Sequence, residues 1–263
     1  MNGVKFINEF IRAFIENYPR FRVSRWVYGD KYLAIENENY GLGFAHVDSI
    51  VKMVWRDPDN ILDRLDEVDP NDLTYLIQHP NPAYKYVGHA YINSIVNSRD
   101  LVELDIGDPL DKIPSNGGTA IVVGFIAPIV RKLKELRYRV YAIEASLDTI
   151  PGDIRYRDEI YPWWSYEDLV IDADILVLSG STISNNTIGY LLDKARHVPM
   201  KMILGPSTTL LIKLFKKYRV RFLGSSISLD NDKVFKIVKE GYGYHTLKNM
   251  GLIKSITIDL SHL

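Results

Sequence analysis

The sequence predicts an α/β protein. A Rossmann-like, doubly wound parallel sheet fills its carboxyl-terminal part, and a smaller α+β domain of helix, three-stranded meander and helices precedes it. Three observations point there. Apolar strand-length runs alternate with amphipathic stretches from residue 119 onward, the pattern of βαβ crossovers. Two of those runs pass straight into small-polar turns, Leu178-Ser-Gly-Ser-Thr and Leu204-Gly-Pro-Ser-Thr, as strands do where an open parallel sheet builds a ligand crevice. At the amino end a helical apolar stripe precedes three β-like runs divided by turn residues.

The stripe consists of Val4, Phe6, Ile7, Phe10, Ile11, Phe14 and Ile15, spaced as one face of a helix that ends near Tyr18-Pro19. Runs at 21–28, 32–36 and 40–45 follow, and Gly29-Asp30 reads as a two-residue hairpin turn between the first two. Asp57-Pro58 and Asp69-Pro70 have the form of helix starts, and residues 84–96 carry a further helical stripe. The stretch 101–118 is acidic and turn-rich, closing on Ser115-Asn116-Gly117-Gly118, and it marks the expected boundary between a domain of residues 1–107 and one of 108–263. Beyond it, strands are expected at 119–123, 139–143, 173–178, 201–204 and 221–223. Helices are expected at 128–136, 187–195, 208–217 and 232–239, and an edge strand at 255–260. One long connection, 146–168, holds Pro151-Gly152 and Tyr161-Pro-Trp-Trp; such an aromatic segment serves either as a lid or as packing.

Composition narrows the function classes. A formal net charge of −1 gives no general pull toward nucleic acid or an anionic membrane. No apolar run approaches the ~20 residues of a spanning helix, and the start lacks the basic-then-apolar pattern of a secretory signal. A cytoplasmic protein with a small-molecule ligand is the expectation, with neither nucleic acid nor membrane as partner. Cysteine is absent, which excludes disulfides, thiolate metal ligands and a cysteine nucleophile. An aromatic content of 11% is compatible with a homodimer interface.

The crossovers supply the candidate binding residues. In Ile121-Val-Val-Gly-Phe-Ile-Ala-Pro-Ile, Gly124 closes the strand, but Ile126 and Ile129 stand where a dinucleotide fingerprint needs its second and third glycines, which disfavours ordinary NAD binding. Glu144 follows Gly124 by 20 positions, the place of a ribose-binding carboxylate. Gly180, Ser181, Thr182, Asn185 and Asn186 offer a tight turn with neutral donors and acceptors for a carboxylate or phosphate, although Asn186 could equally cap the next helix. Gly205, Pro206, Ser207 and Thr208 form a second such turn, in which Ser207 is also placed to cap a helix starting at Thr208. A third turn, Gly224-Ser-Ser-Ile-Ser, extends the rim. Of six histidines none sits in an HExxH or a tight carboxylate cluster, so no preformed metal site is indicated. His46 and Asp48 alternate along an extended chain and so share a side, as ligands or as a base with its orienter. His245 is placed to reach the same crevice.

These motifs resemble the uncharacterised prokaryotic family called putative heavy-metal-chelation proteins. The likeness rests on Val122-Val-Gly-Phe, Leu178-Ser-Gly-Ser-Thr with Asn186-Thr-Ile, Leu204-Gly-Pro-Ser-Thr and Gly241-Tyr-Gly, and in the first half on Gly41-Leu-Gly-Phe-Ala-His and Gly88-His-Ala-Tyr-Ile-Asn-Ser-Ile-Val-Asn. Thr209 stands where the family more often has Pro, and Ser94 where it often has Ala. The resemblance implies an enolase N-terminal-like first domain and a Rossmann-like second one, with an active site in the cleft between them. It would bring His46 and Asn93 toward the turns at Ser181 and Ser207. The expected function is binding of a small anionic metabolite or metal chelate in that cleft, in an enzyme of metal-chelator metabolism, with His46 and Asn93 as the catalytic candidates. The residues do not identify a cofactor; a metal ion bound through the ligand is the one expectation. Two alternatives stay open: a noncatalytic metallochaperone or metabolite sensor, and a nucleotide- or S-adenosylmethionine-dependent enzyme.

Overall fold

Helix α1 (Gly3–Asn17) buries Phe6, Ile7, Phe10, Ile11 and Phe14, the face that the apolar spacing marks out. The computed structural model describes residues 3–48, 51–52, 62–145 and 159–263. After α1 come β1 (Val23–Tyr28), β2 (Tyr32–Asn37) and β3 (Leu42–His46), an antiparallel meander in the order β1-β2-β3. The first turn lies one residue later than Gly29-Asp30 suggests. Gly29 donates its N–H to the Tyr32 carbonyl at 2.9 Å, so Asp30 and Lys31 are the two loop residues. Gly29 is small for another reason: a Cβ there would lie 2.0 Å from the Val238 carbonyl oxygen, in a helix of the second half.

Helix α2 (Pro70–Tyr75) starts at Asp69, whose side chain accepts the Asn71 N–H, while Asp57-Pro58 lies outside the described residues. Helix α3 (Pro82–Val96) is capped by Asn81 and is buried on nearly every side. It runs between the meander and the sheet. At Gly43 of β3 a Cβ would come 2.2 Å from both the Ala90 carbonyl oxygen and the Ser94 nitrogen, so strand and helix touch backbone to backbone.

The large sheet contains β4 (Gly118–Val123), β5 (Tyr138–Glu144), β6 (Ile160–Pro162), β7 (Ile175–Ser179), β8 (Met200–Leu204), β9 (Phe222–Ser228) and β10 (Ile253–Asp259). Its order is β10-β9-β8-β7-β4-β5-β6, parallel throughout except for β10 against β9. The expected strands are all present. β6 falls inside the stretch read as a connection; three half-buried residues carry no alternation, and only pairing with Ala142–Glu144 makes them a strand.

Helices α4 (Ala127–Glu135), α5 (Tyr166–Val170), α6 (Ser181–Ser184), α7 (Ile188–Lys194), α8 (Ile212–Lys217), α9 (Asn231–Lys239) and α10 (Tyr244–Asn249) surround the sheet. Ile129, Val130 and Leu133 of α4 cover one face, over Ala120, Val122 and Val177. Residues of α5, α7 and α8 cover the other face, over Ile121, Leu176 and Ile203, and there α1 and α3 join the same core. The change of side falls between β4 and β7, the switch point at which doubly wound sheets open a crevice. Helix α8 begins at Ile212 rather than at Thr208. Asn97 of the segment after α3 holds the intervening turn, accepting the Leu210 N–H at 3.0 Å and donating to the Thr208 carbonyl at 2.9 Å.

The halves share interior rather than merely touching. Phe6 of α1 lies against Phe215 of α8 with ring centroids 6.1 Å apart, and Gly189 of α7 lets α1 close onto α7, where a Cβ would lie 2.5 Å from that of Phe6. Tyr32, Ala34, Leu42 and Phe44 of the meander pack on Val234, Ile237 and Val238 of α9. Among the described residues no helix is long and apolar enough to cross a membrane.

Candidate site at the carboxyl edge of the sheet

Gly124 follows β4 with φ +87°, and a Cβ there would lie 2.9 Å from the Ser179 Cβ at the end of β7. Only glycine permits that approach across the switch point. The next N–H, that of Phe125, donates to Glu144 Oε2 at 2.9 Å, and Glu144 Oε1 accepts the Ala145 N–H, also at 2.9 Å. Glu144 therefore places a carboxylate on a backbone donor of the kind that a glycine-rich loop would turn toward a pyrophosphate.

At the end of β7, Ser179 Oγ and Ser181 Oγ are 3.0 Å apart and both residues are half-buried. Thr182 turns inward and donates to the Ser179 carbonyl at 2.7 Å. Gly180 is needed because a Cβ would lie 2.6 Å from the Thr208 nitrogen. Asn185 closes a local turn ahead of α7, its Oδ1 accepting from the Thr187 N–H at 3.1 Å and hydroxyl at 2.7 Å, while α7 itself starts at Thr187 without a side-chain cap. Asn186 adopts φ +60° and donates to the Ile77 carbonyl at 3.0 Å, tying this turn to the first half.

The turn after β8 divides its residues. Gly205 (φ +130°) and Pro206 are half-buried on the rim, whereas Ser207, Thr208 and Thr209 are buried. Ser207 Oγ accepts the His46 N–H at 2.8 Å, and the Ser207 carbonyl accepts from Asn93 Nδ2 at 3.1 Å. Asn93 also donates to the Phe44 carbonyl at 2.8 Å and accepts from the Thr209 hydroxyl, so its amide is fully occupied. Asn93 thus holds three segments together, without a free group to offer a ligand. The Thr208 hydroxyl is buried beside Gly180 with no hydrogen-bond partner among the described residues.

His89 and Asn97 complete this joint, and neither stands out in the sequence as a site residue. Their signal is polar residues four apart, 89, 93 and 97, in the largely apolar run from Tyr86 to Asn97. His89 Nδ1 lies 2.6 Å from Ser184 Oγ and Nε2 lies 3.0 Å from Thr209 Oγ1. Because the Thr209 hydroxyl proton goes to Asn93, Thr209 Oγ1 accepts from His89 Nε2–H, which leaves Nδ1 to accept from Ser184. The ring is neutral; complete burial pushes its pKa down to about 3.

His46 differs. It closes β3 half-buried, its ring edge-on to Tyr32 at 5.6 Å, and its ring nitrogens have no hydrogen-bond partner among the described residues. Burial lowers its pKa, with the Asp48 charge opposing and those of Lys31 and Lys52 adding to the effect. Asp48 is not its orienter. The two Asp48 oxygens accept from the Val51 N–H, at 2.9 Å, and from the Tyr86 hydroxyl. His245 sits exposed on α10 with its ring against Tyr244, 5.4 Å between centroids. The stretch read as a third polar turn is not a turn: Gly224–Ser228 lies within β9, where Ser225 is buried and donates to the Thr208 carbonyl at 2.8 Å.

The family described as "Putative heavy-metal chelation", DUF364, matches residues 108–257. The chain belongs to this family. Two solved DUF364 structures of unknown function share the fold. One is from Desulfitobacterium hafniense (TM-score 0.79, 21% identity, 97% of this chain and 98% of that one), and the other is PH1506 from Pyrococcus horikoshii (TM-score 0.79, 21% identity, 97% and 99%). The uncharacterized protein MJ0500 of Methanocaldococcus jannaschii is 28% identical over 164 residues, 60% of this chain. That match spans 56% of the length of MJ0500.

The family description invites a test of the donor set of this DUF364 chain. Heavy, soft metals favour thiolate, and the chain has no cysteine. Among the described residues no three His, Cys, Asp or Glu side chains converge, and the ring nitrogens of His89 are both taken. These residues do not fit a heavy-metal ion held by the protein alone.

Proposed function

We propose that this DUF364 protein binds a small polar molecule, carrying an anionic end, on the carboxyl rim of the sheet above β4, β7 and β8, and that any metal reaches it already held by that molecule. One observation carries the reading. At the switch point Gly124 and Ser179 face each other, beside the half-buried Ser181 and Gly205 and at the edge that His46 closes. Hydroxyls at the end of β7 and the backbone beside three glycines suit carboxylate oxygens, and the His46 imidazole adds a donor or acceptor without competing for an internal partner. The absence of fitting protein ligands for a bare ion supports the chelate as the guest.

Binding is favoured over catalysis by what surrounds His46. Among the described residues no group hydrogen-bonds a His46 ring nitrogen to fix its tautomer, and Asp48 and Asn93 make their hydrogen bonds to Val51, Tyr86, Phe44 and Ser207 instead. Citrate and its ferric complex serve as probes, read by calorimetry and by ligand-induced thermal stabilisation. Wild type should be stabilised, and His46→Ala and Ser181→Ala should fold normally while losing that stabilisation. Stoichiometric, tight binding of bare Ni²⁺, Zn²⁺ or Cu⁺ that His46→Ala leaves unchanged would defeat the proposal.

A further inference from the structure

The ends of β4, β5 and β6 carry a second set of groups on the same rim. Glu144 pairs in register with Pro162, so Trp163 and Trp164 stand directly after the partner of that carboxylate. The indoles lie edge to face, centroids 6.0 Å apart at 81°. They are 58% and 66% exposed. Large aromatic residues left in solvent beside a sheet's ligand edge are unusual for packing and well suited to stacking. Tyr161, one residue earlier, packs against Tyr141 at 5.3 Å instead, so the aromatic segment is anchored on one side and open on the other.

Glu144 then sets the charge. Each of its oxygens accepts one backbone N–H and keeps capacity for another donor. A vicinal diol can supply two O–H donors to such a carboxylate. A diphosphate cannot approach it without like-charge repulsion, and Ile126 and Ile129 occupy the positions where close phosphate approach needs glycine. Neighbouring strands lie ~4.8 Å apart, so three strand ends span about 10 Å, the length of a ring joined to a sugar.

We infer that the rim over β4, β5 and β6 takes a neutral nucleoside moiety, its base stacked on the Trp163–Trp164 pair and its ribose diol on Glu144, with no diphosphate at the loop after β4. The inference rests on the proposed crevice and names the chemistry of the guest's other end.

Calorimetry and tryptophan emission with adenosine, guanosine, cytidine and uridine test it. At least one nucleoside should bind. Its affinity should fall about tenfold or more in Trp163→Ala, Trp164→Ala or Glu144→Gln, the scale expected for one lost base–aromatic stack. Its 2′,3′-dideoxy form should bind correspondingly less well, and inorganic pyrophosphate should not bind. The unliganded melting temperature of the two tryptophan variants should equal that of wild type. Silence toward all four nucleosides, or binding indifferent to these substitutions and to the diol, overturns the inference. If citrate still binds through His46 in that case, only the nucleoside assignment falls; if citrate is silent too, the crevice reading falls with it.

Discussion

The pH dependence of folding offers a direct measurement of the buried joint. His89 is neutral in the folded protein with a pKa of about 3, whereas an unfolded histidine titrates near its ordinary value of about 6.5. Between those values the unfolded chain binds a proton that the folded chain refuses, so acid favours unfolding. The stabilisation is complete above about pH 6.5 and is lost as pH falls toward 3. Integrated over the whole window it approaches about 5 kcal/mol, and between pH 7.5 and pH 5 it amounts to about 2 kcal/mol. Urea melts at those two pH values, run on wild type and on His89→Gln, isolate the histidine, because other titrating groups are common to both. Wild type should lose about 2 kcal/mol more than the variant on going to pH 5. An equal loss in both proteins would mean that the ring is not held neutral, and the proton assignment between Ser184, Thr209 and Asn93 would fail.

Two further substitutions probe the same architecture. Gly43→Ala pushes a methyl into the α3 backbone at 2.2 Å, and since neither the strand nor the helix can yield cheaply, a loss above about 3 kcal/mol or insoluble expression is expected, checked by circular dichroism melts. Asn97→Ala strands the Leu210 N–H and removes donors to the Thr208 carbonyl and the Ser225 hydroxyl, for a cost of about 2–3 kcal/mol in denaturant melts. Retained wild-type stability in either variant would show that the joint is looser than these contacts require.

Legibility followed the range of the interactions. The strands of the large sheet announce themselves because a strand buried on both faces must be apolar along most of its length, as 175–178 and 202–204 are. β6 could not be read, since its partners lie in β5 and its own residues are half-buried. Gly29 shows the same limit: the turn explains a glycine locally, yet the constraint comes from Val238, more than 200 residues away. The site divided likewise. Small-polar turns at strand ends satisfy a ligand or a neighbouring helix with the same atoms, and what sent Ser207 and Thr208 inward is the amide pair on α3 and just after it, over 100 positions upstream. Gly180→Val and Ser207→Ala would damage the fold, since a Cβ at Gly180 lies 2.6 Å from the Thr208 nitrogen and Ser207 Oγ accepts the His46 N–H, so Ser181 and His46 carry the test.

The three polar anchors at 89, 93 and 97 have a mechanical corollary. Sliding the helix away from the loop beneath it would strand an imidazole and two amides in an oily interior at one stroke, with no solvent to replace what they lost. For the guest proposed above, that joint would hold the backbone of the ledge in place before anything arrives there.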